Sequence, residues 1–170
     1  MDDRVCREFI SHAVRHINQC TEKISACLRI LQANDVWNSP NEHLNSIGNL
    51  VLHLCGNISQ YIISSLGGAD DVRERDLEFS IKGGYTNAEL TVKLQEIARQ
   101  AVSIIQRTKR EELLRRRIVQ GMEDSGIGII IHVTEHYSYH TGQIILLTKL
   151  LNNTDLGFYA GIDFNKKNEH

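Results

Sequence analysis

A chain of 170 residues with 19 lysines and arginines against 21 aspartates and glutamates has room for one domain with a sizeable core, and too little for two. Its one dense basic run, Lys109 to Arg117, is interrupted by Glu111 and Glu112, which argues against a nucleic-acid partner. The start, MDDRVCREF, has acidic residues where a signal peptide needs basic ones, and no apolar run reaches spanning length, so a soluble, cytoplasmic protein without a membrane partner is expected.

Apolar residues recur at helical spacing from Val5 through Phe9, Ala13, Ile17, Ile24 and Leu28 to Leu31, predicting a long first helix. The cluster Asn34 to Asn41, holding the single proline Pro40, punctuates the chain. A second helix follows, with Leu44, Ile47, Leu50, Val51, Leu54, Ile58, Tyr61 and Ile62 as its stripe, and stops at Gly67-Gly68. The four cysteines, Cys6, Cys20, Cys27 and Cys55, lie within these periodic segments without CxxC spacing. They read as small buried hydrophobes in a reducing compartment.

Gly67 to Thr86 contains two glycine pairs and the charged run Asp70 to Asp76, and reads as a long surface connection. A third helix spans Asn87 to about Arg107, burying Leu90, Leu94, Ile97, Ala101, Ile104 and Ile105. Leu113 to Gly121 fits either an extended segment or a helical turn. A last helix begins near Asp124 and ends near Asn152, with Ile129, Val133, Tyr137, Ile144, Leu147 and Leu151 on one face. Phe158, Tyr159 and Phe164 predict that part of the tail packs against the body. With no strand pattern of useful length, residues 1–170 are expected to form one all-α domain, an antiparallel four-helix bundle.

The chemistry concentrates in HVTEHYSYHTGQ, which carries His132, His136 and His140 at successive fourth positions. Imidazoles four apart on a helix sit one turn above each other and suit a single metal ion if a third ligand arrives from elsewhere. At about 100° per residue, His140 falls at the centre of the apolar stripe, His136 close to it and His132 at its edge. His53, in the apolar stretch NLVLHLCGN, lies at the margin of its own stripe. In an up-and-down bundle the second and fourth helices run in the same direction, and His53 and His136 would then meet at equal depth.

Other arrangements are weaker. His132-Val-Thr-Glu135-His136 spells the HxxEH pattern of inverted zinc peptidases, but only Glu169 in the polar tail follows as a further glutamate ligand. His12 and His16 form another one-turn pair at the margin of the first helix, with His16 a lesser candidate for a pocket wall. A lone core histidine is more often simply packed than a ligand. Convergence of three is what favours a metal here.

His53 in NLVLHLCGN and the later HVTEHYSYHTGQI resemble the DinB/YfiT-like superfamily, whose last helix carries a HxxxHxGQ signature and whose second helix supplies another histidine. The likeness extends over nearly the whole chain, although Thr141 stands where many relatives have arginine. It implies a DinB-like bundle with a metal held by His53, His136 and His140 and an open coordination position. Better understood branches of the family include metal-dependent thiol transferases and a thiol-dependent isomerase. Relatives are often dimers, so a homodimer is expected, with Ile131, Ser138, Thr141 and Ile145 as the back face of the last helix.

Three neutral nitrogen donors favour zinc or nickel over magnesium or calcium, and leave the ion charged enough to activate water or a thiol. A structural zinc normally has four protein ligands, and Cys55 projects away from His53. Gln143, Asn57 and Glu135 are the candidates for orienting the imidazoles, and Tyr139 for a proton donor or a packing residue at the mouth. The expected function is a metal-dependent thiol S-transferase or hydrolase acting on a small molecule, with a low-molecular-weight thiol as a possible cosubstrate. The alternative is a non-catalytic metal-binding or stress-associated bundle.

Overall fold

The computed structural model describes residues 3–169. Helix α1, Asp3–Ile30, buries Ala13, Ile17, Cys20, Ile24, Cys27 and Leu28 along one stripe, with Asp3 in its first turn and Arg29 in its last, matching the helix dipole. The one-turn helix α2, Ala33–Trp37, inserts Val36 into the core. Its Trp37 ring lies against Gly48, where a Cβ would fall 2.7 Å from the indole. Only glycine admits that contact.

Helix α3, Ile47–Ile58, starts at a capping box between Ser46 and Asn49. It continues as a π-helical segment, Ser59–Leu66, closed by the Gly67 amide donating to the Ile62 carbonyl at 2.8 Å. The connection that follows contains a short helix, α4, Arg75–Ser80. Helix α5, Asn87–Arg107, is capped by Thr86 and Glu89.

The segment read as either extended or helical is both. Helix α6, Arg110–Leu114, leads into strand β1, Arg116–Val119, which pairs with β2, Met122–Ser125, in an antiparallel hairpin. Gln120 and Gly121 turn the hairpin with φ of 52° and 77°, a combination that suits the twist of two-residue hairpins. Helix α7, Gly126–Asn152, is capped by Ser125 and ends at Asn153 in the left-handed conformation. Among the described residues, four long helical segments and a minor hairpin make the fold all-α.

Helix α1 packs on α5 and α7, and α3 packs on the same two. Polar contacts fix the directions. Asn87 at the start of α5 donates to the Leu28 and Leu31 carbonyls at the end of α1, so these helices are antiparallel. Cys20 meets Thr141, and Cys27 meets Thr148, so α1 and α7 run parallel. His53 contacts His136 and His140 whereas Asn57, one turn later, contacts His132, so α3 and α7 run in opposite directions. The equal-depth argument assumed parallel second and fourth helices, and that part of it is corrected. The histidines meet because both lie mid-helix, where reversing one helix scarcely changes the level.

The core is aliphatic, with Ile24, Leu28, Leu54, Ile58, Leu90, Leu94 and Ile105 almost fully enclosed. Tyr137 is the largest fully buried side chain among the described residues. In the tail, Leu156 and Phe158 pack against the core, as expected for part of it, while Tyr159 and Phe164 stay exposed. No described helix is long and apolar enough to cross a membrane.

Candidate metal centre

Helix α3 presents His53 and helix α7 presents His136 and His140 from consecutive turns. The Nε2 atoms of His53 and His136 are 3.1 Å apart, and those of His136 and His140 3.2 Å. All three ligand atoms lie within 4.8 Å of one another. Metal–nitrogen bonds of about 2.0–2.1 Å in tetrahedral geometry would put neighbouring nitrogens about 3.3 Å apart. The donor set fits an ion of that size and could hold one. His53 is buried, whereas His136 and His140 each keep part of their surface exposed.

The opposite edges of the rings determine which nitrogens face inward. His53 Nδ1 lies 2.8 Å from Glu78 Oε2, and His140 Nδ1 lies 2.7 Å from Gln143 Oε1. Both oxygens are acceptors, so each Nδ1 carries the proton and each Nε2 directs a lone pair at the cluster. His136 Nδ1 is buried with no hydrogen-bond partner among the described residues. Three imidazole Nε2 atoms meeting this closely share too few protons to satisfy one another, and a cation resolves the conflict.

Burial favours the uncharged form of His136 and His140 on α7. Burial, followed by the neighbouring histidines and Arg73, pushes His136 down to about 3. Burial also lowers His140, against the opposing hydrogen bond that it donates to Gln143. The same cause lowers His132. Neutral imidazole is the metal-binding form.

Behind His53 stands a buried ion pair that the sequence pattern did not disclose. Arg73 Nε donates to Glu78 Oε1 at 2.7 Å and Nη2 to Glu78 Oε2 at 2.9 Å, with the Arg73 side chain 3% exposed. Burial alone would raise the Glu78 carboxyl, but hydrogen bonds from Arg73 and His53 and the Arg73 charge outweigh it and hold it below the usual carboxylate range. Arg73 Nη1 also donates to Gln60, whose amide donates to Asp71. Asp71, Arg73 and Glu78 belong to the connection expected to be a surface loop; α4 folds it back onto α3. A metal-facing histidine's need for a carboxylate or carbonyl behind it was the only available signal.

Of the residues proposed to orient the imidazoles, Gln143 is in place. Asn57 instead faces His132, its Nδ2 3.3 Å from His132 Nε2. Glu135 is exposed and turns to a cavity between α1 and α7 lined also by Phe9, His12, His16 and Tyr139, because a residue one position before His136 points about 100° away from it. His16 is therefore at this separate cavity and not at the cluster. His132 stacks on Tyr61 with ring centroids 4.3 Å apart and stands beside the three-histidine group. Tyr139 packs edge-on to His140 at 5.0 Å. Thr141, assigned to an outer face, is buried and donates to the Tyr137 carbonyl; its small side chain fits against α1 where Cys20 approaches. Phe79, not anticipated, packs on the His53 ring at 4.7 Å.

Comparison with known proteins agrees with this architecture. A crystal structure of a DinB-like protein (YjoA) from Bacillus subtilis is similar at a TM-score of 0.66 and 19% identity, covering 89% of this chain and 96% of that one. One of a DinB-like protein from Bacillus cereus is similar at 0.64 and 13% identity, covering 82% of this chain and 90% of the other. At such identities the likeness establishes the fold, which is DinB-like. No curated protein matches the chain in sequence. Residues 4–160 match the family described as a protein of unknown function, DUF1572, and the chain belongs to that family.

Proposed function

We propose that His53, His136 and His140 hold one divalent ion of the zinc or nickel class, and that the chain is a metal-dependent enzyme of the thiol S-transferase or hydrolase type acting on a small molecule. The observation that carries the reading is the convergence of the three Nε2 atoms within 4.8 Å, two of them aimed inward by acceptors behind the rings. Such an ion supplies a Lewis acid that lowers the pKa of a thiol or water entering its open position.

The chain's own residues do the rest. Three uncharged imidazoles leave the full positive charge to act on an entering anion, and Glu78 is already neutralised by Arg73. His136 and His140 each keep part of their surface exposed, whereas His53 is buried. A low-molecular-weight thiol as cosubstrate belongs to this reading. Its test is a cobalt-substituted protein: an added thiol should change the visible spectrum and attack an electrophilic test substrate faster than in free solution, and His136→Ala should lose both effects. If the spectrum responds to no thiol while hydrolytic activity is present, hydrolysis replaces thiol transfer. Metal uptake with neither response supports a non-catalytic metal-binding bundle.

A homodimer is part of the same proposal. Ile131 and Tyr139, 51% and 63% exposed, face Phe9 and Ala13 across the open cavity of about 570 Å³ between α1 and α7. Exposed apolar surface of this kind favours association. Light scattering at micromolar concentration should give twice the chain mass, and Ile131→Glu should return it to the monomer.

A further inference from the structure

The ligand His53 does not sit in a passive cavity. Glu78 touches it from behind, Arg73 grips both oxygens of that carboxylate, and the carboxylate lies directly over Gly56, one turn along α3 from the residues beside His53. A Cβ on Gly56 would fall 1.8 Å from Glu78 Oε1 and 3.0 Å from Arg73 Nε. The glycine thus leaves the space through which the acid reaches His53. The backbone around Glu78 is fixed as well, since Asn49 Nδ2 donates to the carbonyls of Glu78 at 2.9 Å and Ile81 at 2.8 Å.

We infer that Glu78 is a positioning residue for the metal ligand His53, held by Arg73 and admitted by Gly56, and that the connection carrying it is part of the metal centre. This rests on the metal reading above. Two features separate this role from a purely structural ion pair. Arg73 and Glu78 would satisfy each other without His53, yet Glu78 Oε2 takes a second hydrogen bond from the imidazole. Arg73 Nη2 also stands 3.2 Å from His53 Nδ1, but the carboxylate is nearer at 2.8 Å and can only accept, so this bond selects the Nδ1–H form of His53 and leaves Nε2 free for the ion. A histidine with a free Nδ1 would populate both tautomers and rotate more freely about its side-chain torsions.

A glutamine cannot replace the acid. The guanidinium fork needs two acceptor oxygens, and His53 needs one of the same pair. An amide would turn its NH₂ against one donor or the other. Gly56→Ala is the more discriminating variant, because it removes no charge and leaves no buried ion unpaired. In an exposed helix interior that exchange stabilises; here it displaces the carboxylate from His53.

The experiment combines two readouts on wild type, Glu78→Gln and Gly56→Ala. Zinc affinity is measured by competition with a chromophoric chelator, and the ring nitrogens of His53 are observed by ¹⁵N NMR in metal-free protein. Each variant should bind zinc about 10–100-fold more weakly, and wild-type His53 should be in the Nδ1–H form that Gly56→Ala loses. Zinc affinity unchanged in both variants, or an Nε2–H form in the wild type, would overturn the inference. If Glu78→Gln fails to fold, Gly56→Ala decides alone. If wild type takes up no zinc, the metal reading fails, and the NMR still decides whether Glu78 sets the state of His53.

Discussion

His53 and His136, 83 positions apart in sequence, bring their Nε2 atoms to 3.1 Å across the contact between α3 and α7. Glu78 meets His53 at Nδ1, on the opposite edge of the ring. Burial and the neighbouring rings hold His136 well below the ordinary imidazole value, so pH acts on the cluster through this residue.

In metal-free protein, His136 is lowered from 6.5 to about 3. Between those values the unfolded chain holds a proton at this position that the fold excludes, so the unfolded state binds more protons and stability falls as pH falls. His140 and His132 shift in the same direction. Glu78, held low by Arg73 and His53, adds stability that is lost as the pH falls from the ordinary carboxylate value through its own lowered one. Urea denaturation across this window, with a chelator present, should show decreasing stability towards acid. His136→Gln should flatten the upper part of that slope; an unchanged slope would mean that His136 is not held neutral.

Gln143 and Glu135 give a contrast on one helix. Gln143 accepts from His140 Nδ1 at 2.7 Å, whereas Glu135 is exposed on the flank facing α1. Gln143→Leu should weaken zinc binding about 10-fold, and Glu135→Ala should leave it unchanged. Competition titrations measure both. Equal losses would remove Gln143 from its orienting role.

Tyr137 tests the packing beneath the histidines. Thr21 Oγ1 gives its only proton to the Ile17 carbonyl at 2.8 Å, so the 2.7 Å contact with Tyr137 has the phenol as donor. Both residues are buried. Tyr137→Phe should cost about 1 kcal/mol in stability. With Thr21→Val the phenol is left unpaired, and the double variant should be less destabilised than the sum of the singles. Strict additivity in chemical denaturation would contradict the bond.

The long helices were legible because each buries one stripe at helical spacing, and His136, His140 and Gln143 were legible because one helix determines their relative directions. His53 was legible as a polar residue in an otherwise apolar stripe. Arg73 and Glu78 were not, since a run of charges without apolar periodicity reads as solvated, and only the return of α4 onto α3 buries them. The relative direction of α3 and α7 depends on how the connections cross the bundle, which periodicity does not encode. Thr141 was misplaced because a threonine that satisfies its hydroxyl on its own helix can face a neighbour, and a wheel scores it as polar. The hairpin of β1 and β2 is too short for alternation to mark it.

Metal content tests the central claim most directly. Protein purified without chelator should carry about one zinc or nickel ion per chain by elemental analysis. His53→Ala, His136→Ala and His140→Ala should each lose most of it, whereas His132→Ala, whose Nε2 turns to Asn57, should keep it. Full occupancy in all three ligand variants, or wild-type protein that takes up no ion when zinc is supplied, would contradict the account.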